Sequence, residues 1–246
     1  MAFIEQAPRA EPILHSESPY KEESEPQPLP LPPDSGLSLM RQRIGEHMRK
    51  SLDTAAHCTT IVEADMHAVE GARGRLSYLP FVARATIAAL REFPALNSTW
   101  DGDRLVTHEE VHLGVAVSLG EDGLIVPVVR NAHELSHEGL AARIRDLAER
   151  ARARKLSPDE VQGGTFTITN PGRYGALLAT PIINQPQVAI LDLEAVVRRP
   201  VVVGGDSIAI RPMTYLCMSW DHRGLDGALA AQFLSSVRRH LEEWNG

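Results

Sequence analysis

Apolar positions recur along this chain in two rhythms, every third to fourth residue and in short β-branched runs, and these rhythms predict its elements. Met40, Ile44, Met48 and Leu52 return every four residues while Arg41, Arg43, Glu46, Arg49 and Lys50 fall on other faces, predicting an amphipathic helix. The β-branched run 58–65 predicts a strand, and a helix over 79–93 is stopped by Pro94. Trp100-Asp101-Gly102-Asp103 predicts a hairpin turn, and 111–119 and 124–129 predict two strands flanking Gly120-Glu121-Asp122-Gly123. Ser136 is placed to cap a helix running to about Arg154. The short strand 165–169 ends at Asn170-Pro171-Gly172, and the largely apolar stretch 188–203 ends at Gly204-Gly205-Asp206. The longest apolar run, 208–220, leads through an ionisable cluster into a final helix over 228–244. Helices and strands alternate irregularly and include hairpins. The pattern predicts an α/β fold of two layers, a mixed β-sheet covered by helices.

Residues 1–36 break this pattern. They carry eight of the 17 prolines and seven acidic against two basic residues, or −5 of the net −7. Pro26-Gln27-Pro28-Leu29-Pro30-Leu31-Pro32-Pro33 predicts extended polyproline II, so this stretch is expected to be a disordered tail or linker, or a docking tether, with the folded domain over 37–246.

Composition narrows the class. The 246 residues, 43% of them hydrophobic, suffice for one substantial core, and the acidic balance offers no basic face to nucleic acid. No apolar run approaches the ~18 residues that span a bilayer. The N-terminus lacks both the basic start and apolar stretch of a secretory signal and the Arg-rich character of a mitochondrial one, so a cytoplasmic location is expected. Two cysteines, Cys58 and Cys217, are too few for a disulfide framework and are expected to be reduced and packed.

Candidate chemistry is concentrated at one place. His133 and His137 have a metal-compatible spacing, but the helix starts at His137 and no third ligand lies near, so a solvated helix start is expected. Gly163-Gly164 and Gly204-Gly205 are turns, too short to cradle a phosphate. Cys58, beside His57, is expected to pack at a strand start. His222 differs: it closes the longest apolar run and has Asp221, Arg223 and Asp226 within four residues. An imidazole with an ordinary pKa of ~6.5, held at a strand end, suits proton abstraction near neutral pH. Spacing alone leaves open a purely structural histidine bonded to Asp221.

Asp221-His222-Arg223-Gly224-Leu225-Asp226-Gly227 resembles the DHRxxDG signature of the acyltransferase (E2) subunits of 2-oxo acid dehydrogenase complexes, and more broadly the HxxxDG motif of the chloramphenicol acetyltransferase fold. Further stretches resemble that family in its order: 39–48 with Ala56-His57, Arg91-Glu92-Phe93-Pro94-Ala95-Leu96-Asn97, 111–129, 164–172, and Thr180-Pro181-Ile182-Ile183-Asn184 with 186–190. The resemblance covers about residues 37–244.

The resemblance implies a chloramphenicol acetyltransferase-like sandwich that transfers acyl groups between coenzyme A and a dihydrolipoyl thiol. His222 would be the general base, Thr169 the hydroxyl that stabilises the oxyanion, and Asp226 a site-shaping acid, expected in a buried pair, with an Arg as one partner. It also implies a homotrimer with His222 and Thr169 from neighbouring chains, working with a lipoyl-bearing protein and the E1 and E3 components. No metal, membrane or nucleic acid enters this chemistry. Three departures stand out. No lipoyl domain precedes 37–246, so the lipoyl group is expected in trans. The link between Met66 and Leu79 is short, and the chain stops without the apolar tail that joins trimers into cubic cores, which predicts an isolated trimer. Two other readings fit: a CoA-dependent acyltransferase acting on a free small molecule, and a non-catalytic scaffold.

Overall fold

A computed structural model describes residues 36–245; the 1–36 tail expectation, Gly36 apart, lies outside them. Helix α1 (Leu39–Thr54) opens the fold, capped by the Ser38 side chain, which accepts the Arg41 N–H. Its expected stripe is only partly buried: Met40 and Leu52 remain exposed, and Ser51 is the buried residue. Strand β1 (His57–Asp65) follows, then the short α2 (His67–Ala72) and α3 (Leu79–Glu92), most of whose apolar residues are buried. Strands β2 (Ser98–Asp101) and β3 (Arg104–Thr107) form the expected hairpin, with Gly102 at φ 60° in its turn.

The two strands expected over 111–129 are each broken in two. β4 (Leu113–Val115) and β7 (Val128–Val129) pair in the main sheet, while β5 (Val117–Ser118) and β6 (Leu124–Ile125) pair separately. Pro127 sits between β6 and β7; its carbonyl accepts the Val115 N–H, but it has no N–H to continue the ladder. Helix α4 (His137–Arg152) starts where expected, its Ser136 cap accepting the Gly139 N–H at 3.1 Å. β8 (Phe166–Thr169) comes next. The stretch 188–203 divides into β9 (Ala189–Leu193) and β10 (Val197–Val203), both antiparallel to the long β11 (Ser207–Asp221). Helix α5 (Gly227–Glu242) closes the chain.

The main sheet has seven strands in the order β1-β11-β9-β8-β4-β7, with β10 also on β11. β8 is parallel to β4 and β9, and the other pairs are antiparallel, so the sheet is mixed. Alternation assigns its two faces. Leu216, Met218 and Trp220 of β11, Leu191 and Leu193 of β9, and Phe166 and Ile168 of β8 enter one core cluster with Phe81, Leu90, Phe233 and Leu234 from α3 and α5. Each large side chain fully buried there contributes ~1.5–3 kcal/mol. The intervening residues, among them Thr169, Asp192, Cys217, Ser219 and Asp221, point to the opposite face. There Ala55, Ile183 and Ile190 form a second small cluster beneath α1. Among the described residues no helix is long and apolar enough to cross a membrane.

Candidate active site

β11 is gripped between β1 and β9 up to its last residue, and α5 begins at Gly227, so 222–226 is a short turn between two fixed elements. The His222 N–H donates to the Ala56 carbonyl at 2.9 Å, and its ring lies 4.7 Å from the Trp220 ring, centroid to centroid. The imidazole itself is exposed. Asp221, immediately before it, is fully buried. Its carboxylate accepts from Ala56 N–H at 3.1 Å, Trp100 Nε1–H at 3.0 Å, Arg223 N–H at 3.1 Å and the Arg223 guanidinium at 2.6 Å. Burial alone would raise the pKa of this acid, but the donors from Arg223 and Ala56 outweigh it and hold the group below the usual carboxylate range.

The expected buried pair at Asp226 is not there. Asp226 is exposed and serves as the N-cap of α5, accepting the Leu229 N–H at 2.8 Å. A helix start leaves its first N–H groups without partners, and this carboxylate satisfies one of them. The buried acid–arginine pair of the motif is Asp221 with Arg223.

Thr169, half-buried, ends β8 on the face away from the core helices. Its register partner on β9 is Asp192, which in turn faces Cys217 on β11. From Cys217 to His222 the chain advances five residues, ~17 Å at ~3.3 Å each, and two strand spacings of ~4.8 Å lie between β8 and β11. Within one chain the Thr169 and His222 positions are therefore roughly 19 Å apart. One copy does not bring them together.

The surroundings of Thr169 were not legible beforehand as a site. Asp192 and Glu194 are each 1% exposed, and Asp192 Oδ1 and both Glu194 carboxylate oxygens have no hydrogen-bond partner among the described residues. Burial, with Glu194 adding to it, pushes Asp192 up to about 8; burial likewise raises Glu194 and lifts the Cys217 thiol to about 12. The turn after Thr169 is held by Asn170, whose Oδ1 accepts the Arg173 N–H at 3.2 Å. Gly172 lies flat against β9's end: a Cβ there would sit 2.1 Å from the Glu194 carbonyl carbon. Tyr174, Leu177 and Leu178, which follow, are 57%, 52% and 52% exposed.

The lesser candidates separate. His133 Nδ1 accepts the Val111 N–H, while the His137 ring packs between Phe81 and Trp244, at 4.3 and 5.1 Å. The solvated start expected for His137 is thus an aromatic contact, and burial lowers its pKa. Cys58 packs against the core, and both cysteines are free. His57, the register partner of Asp221 on β1, accepts the Ile183 N–H at Nε2 and meets the Ala55 carbonyl at Nδ1.

Residues 33–246 match the family of 2-oxoacid dehydrogenases acyltransferases, catalytic domain. The chain belongs to this family. It is 39% identical over 215 residues to the lipoamide acyltransferase component of the Bacillus subtilis branched-chain alpha-keto acid dehydrogenase complex, covering 82% of this chain and 50% of that protein. It is 42% identical over 224 residues to the dihydrolipoyllysine-residue acetyltransferase component of the Mycobacterium bovis pyruvate dehydrogenase complex, covering 84% and 40%. The chain thus spans half or less of these relatives. The crystal structure of a probable dihydrolipoamide acetyltransferase from Listeria monocytogenes superposes with a TM-score of 0.82 at 38% identity, covering 87% of this chain and 97% of that one. Chloramphenicol acetyltransferase, at 14% identity and a TM-score of 0.52, shares the fold, as expected.

Proposed function

We propose that this domain catalyses acyl transfer between coenzyme A and a dihydrolipoyl thiol as part of a 2-oxo acid dehydrogenase system. Its membership in the acyltransferase family over 33–246, a span that includes both Thr169 and His222, carries this reading. His222 removes the thiol proton; the thiolate attacks the thioester carbonyl; negative charge develops on the carbonyl oxygen and the Thr169 hydroxyl donates a hydrogen bond to it. The adduct then collapses, breaking the bond from the carbonyl carbon to the original sulfur, and the departing thiolate takes the proton back from His222. A hydroxyl suits this task because it donates without bringing a permanent charge. The exposed imidazole and the fixed turn beneath it support the first role. The separation of roughly 19 Å supports a site assembled from His222 of one copy and Thr169 of the next, as in a closed homotrimer. Asp226 fixes the start of α5 and so the far end of the His222 turn. The lipoyl group arrives from outside the catalytic domain, and the other components of such a complex are the expected partners.

Relatives of similar identity carry names with different acyl groups, so similarity selects no donor. The test is transfer from acetyl-, isobutyryl- and succinyl-CoA to dihydrolipoamide. Turnover with at least one donor, lost in His222→Ala, is expected; folded oligomers that transfer none of the three would overturn the reading.

A further inference from the structure

The β2–β3 hairpin lies far from the motif in sequence, yet one of its side chains touches the His222 turn on both sides of the histidine. Trp100 donates its indole N–H to Asp221 Oδ2 at 3.0 Å. The Arg223 guanidinium lies over the same indole, 4.6 Å from its centre. Gly224 is so close that a Cβ there would sit 3.1 Å from Trp100 Cζ2. One rigid ring thus contacts residues 221, 223 and 224.

The hairpin that carries the ring is itself anchored through its backbone. The Trp100 N–H donates to the Pro186 carbonyl at 2.8 Å, Thr99 bridges to Gln187, and the Val188 N–H donates to the Ser98 carbonyl at 3.2 Å. The Val188 carbonyl accepts the Asp221 N–H at 2.9 Å, closing a loop of contacts from hairpin to turn. Asp221 is fully buried, and of its side-chain donors Trp100 alone comes from outside the strand-and-turn neighbourhood of 56 and 221–223. A buried carboxylate that loses a donor keeps its desolvation penalty. Without the indole, Oδ2 is left to the Arg223 guanidinium alone, which donates to it at 2.6 and 3.0 Å, so the Asp221–Arg223 pair, and with it the turn, loses its only tie to the hairpin side chain.

We infer that Trp100 is a positioning residue for the proposed acyl transfer, setting the placement of His222 through Asp221, Arg223 and Gly224 without touching substrate. This rests on the assignment of His222 as the base. Misplacing a reacting group by about 1 Å costs up to ~10² in rate, so the effect falls on kcat rather than on substrate binding.

Trp100→Phe removes the donor and the outer ring while keeping an aromatic face for Arg223. It is expected to lower kcat about tenfold, with KM for acyl-CoA and dihydrolipoamide within about twofold of wild type and the oligomer intact. Gly224→Ala presses on the indole, so it slows the wild type more than it slows the Trp100→Phe background, where the pressed atoms are gone. A second readout needs no turnover: the His222 signal in protein labelled with 13C-histidine, identified by its absence in His222→Ala, should shift in Trp100→Phe. Unchanged kcat together with an unchanged His222 signal overturns the inference while leaving the functional reading intact. Full activity in His222→Ala overturns the functional reading and the catalytic role of Trp100 together, and the His222 signal then still decides whether the indole restrains the turn.

Discussion

The two ends of the sheet that carry the candidate site are built differently. At the His222 end, Asp221 is buried with a donor for each carboxylate oxygen, and two elements clamp the turn. At the Thr169 end, Asp192 and Glu194 are similarly buried, yet three of their oxygens lack partners among the described residues, and Tyr174, Leu177 and Leu178, a few residues past Thr169, stand exposed. Buried polar atoms in native proteins are nearly always satisfied, and clustered exposed apolar residues mark contact surfaces. The turn that carries His222 is therefore held within one chain, whereas Thr169, the hydroxyl proposed above, sits beside buried groups that the described residues leave without partners. That asymmetry is what a site shared between copies requires.

The comparison can be broken most directly by removing the base. His222→Ala is expected to reduce transfer by ~10²–10⁴ without loss of folding, measured by steady-state kinetics beside a thermal melt. Thr169→Ala follows, with an expected loss of ~10²–10³ in kcat and little change in KM. Co-expressing the two inactive variants sharpens the point: random mixing leaves about a quarter of sites with both an intact imidazole and an intact hydroxyl if the site is shared between neighbours. Activity near the level of either variant alone would mean that each chain carries its own complete site.

Stability separates the two ends further. Asp221→Ala strands the donors of Ala56, Trp100 and Arg223 around a part-buried site and should destabilise by about 2–4 kcal/mol in urea titrations, toward the lower figure because the Arg223 head is partly in solvent. A pH-dependent effect is expected at Asp192. Its folded pKa of about 8 lies above that of the unfolded chain, so the folded form binds the extra proton between roughly pH 4 and 8 and loses stability as pH rises through that window. Asp192→Asn should remove this slope, raising Tm at pH 8 and changing it little at pH 4. A cation from a neighbouring copy seated on the pair would reverse the sign at pH 8.

Much of this was legible in the chain itself, and the failures have physical causes. Periodicity located the amphipathic helices such as α1 and α4, and a long apolar run located β11, which is buried on both faces over its last residues. It missed the breaks at 115–117 and 125–128, since an apolar residue beside Pro127 looks the same whether or not its neighbour can pair. Asp226 was misplaced because spacing within a motif does not say which acid the helix N-terminus will claim. Trp100 appeared only as part of a turn; the sign available was an indole N–H on a short hairpin, a donor that needed an acceptor. Asp192 and Glu194 interrupt an apolar run, which signalled that something was unusual without saying what.

Gly172 bears on how tolerant the chain is to mutation. With a Cβ position only 2.1 Å from the Glu194 backbone, no side chain can be accommodated by a rotamer change. In a saturation library selected for folding, position 172 should keep glycine almost alone, whereas Gly45 and Gly71, with open space around them, should accept most residues. The segment that carries Thr169 is thereby locked to β9 by the absence of an atom, and its genetic record would be an intolerant codon three positions past the hydroxyl.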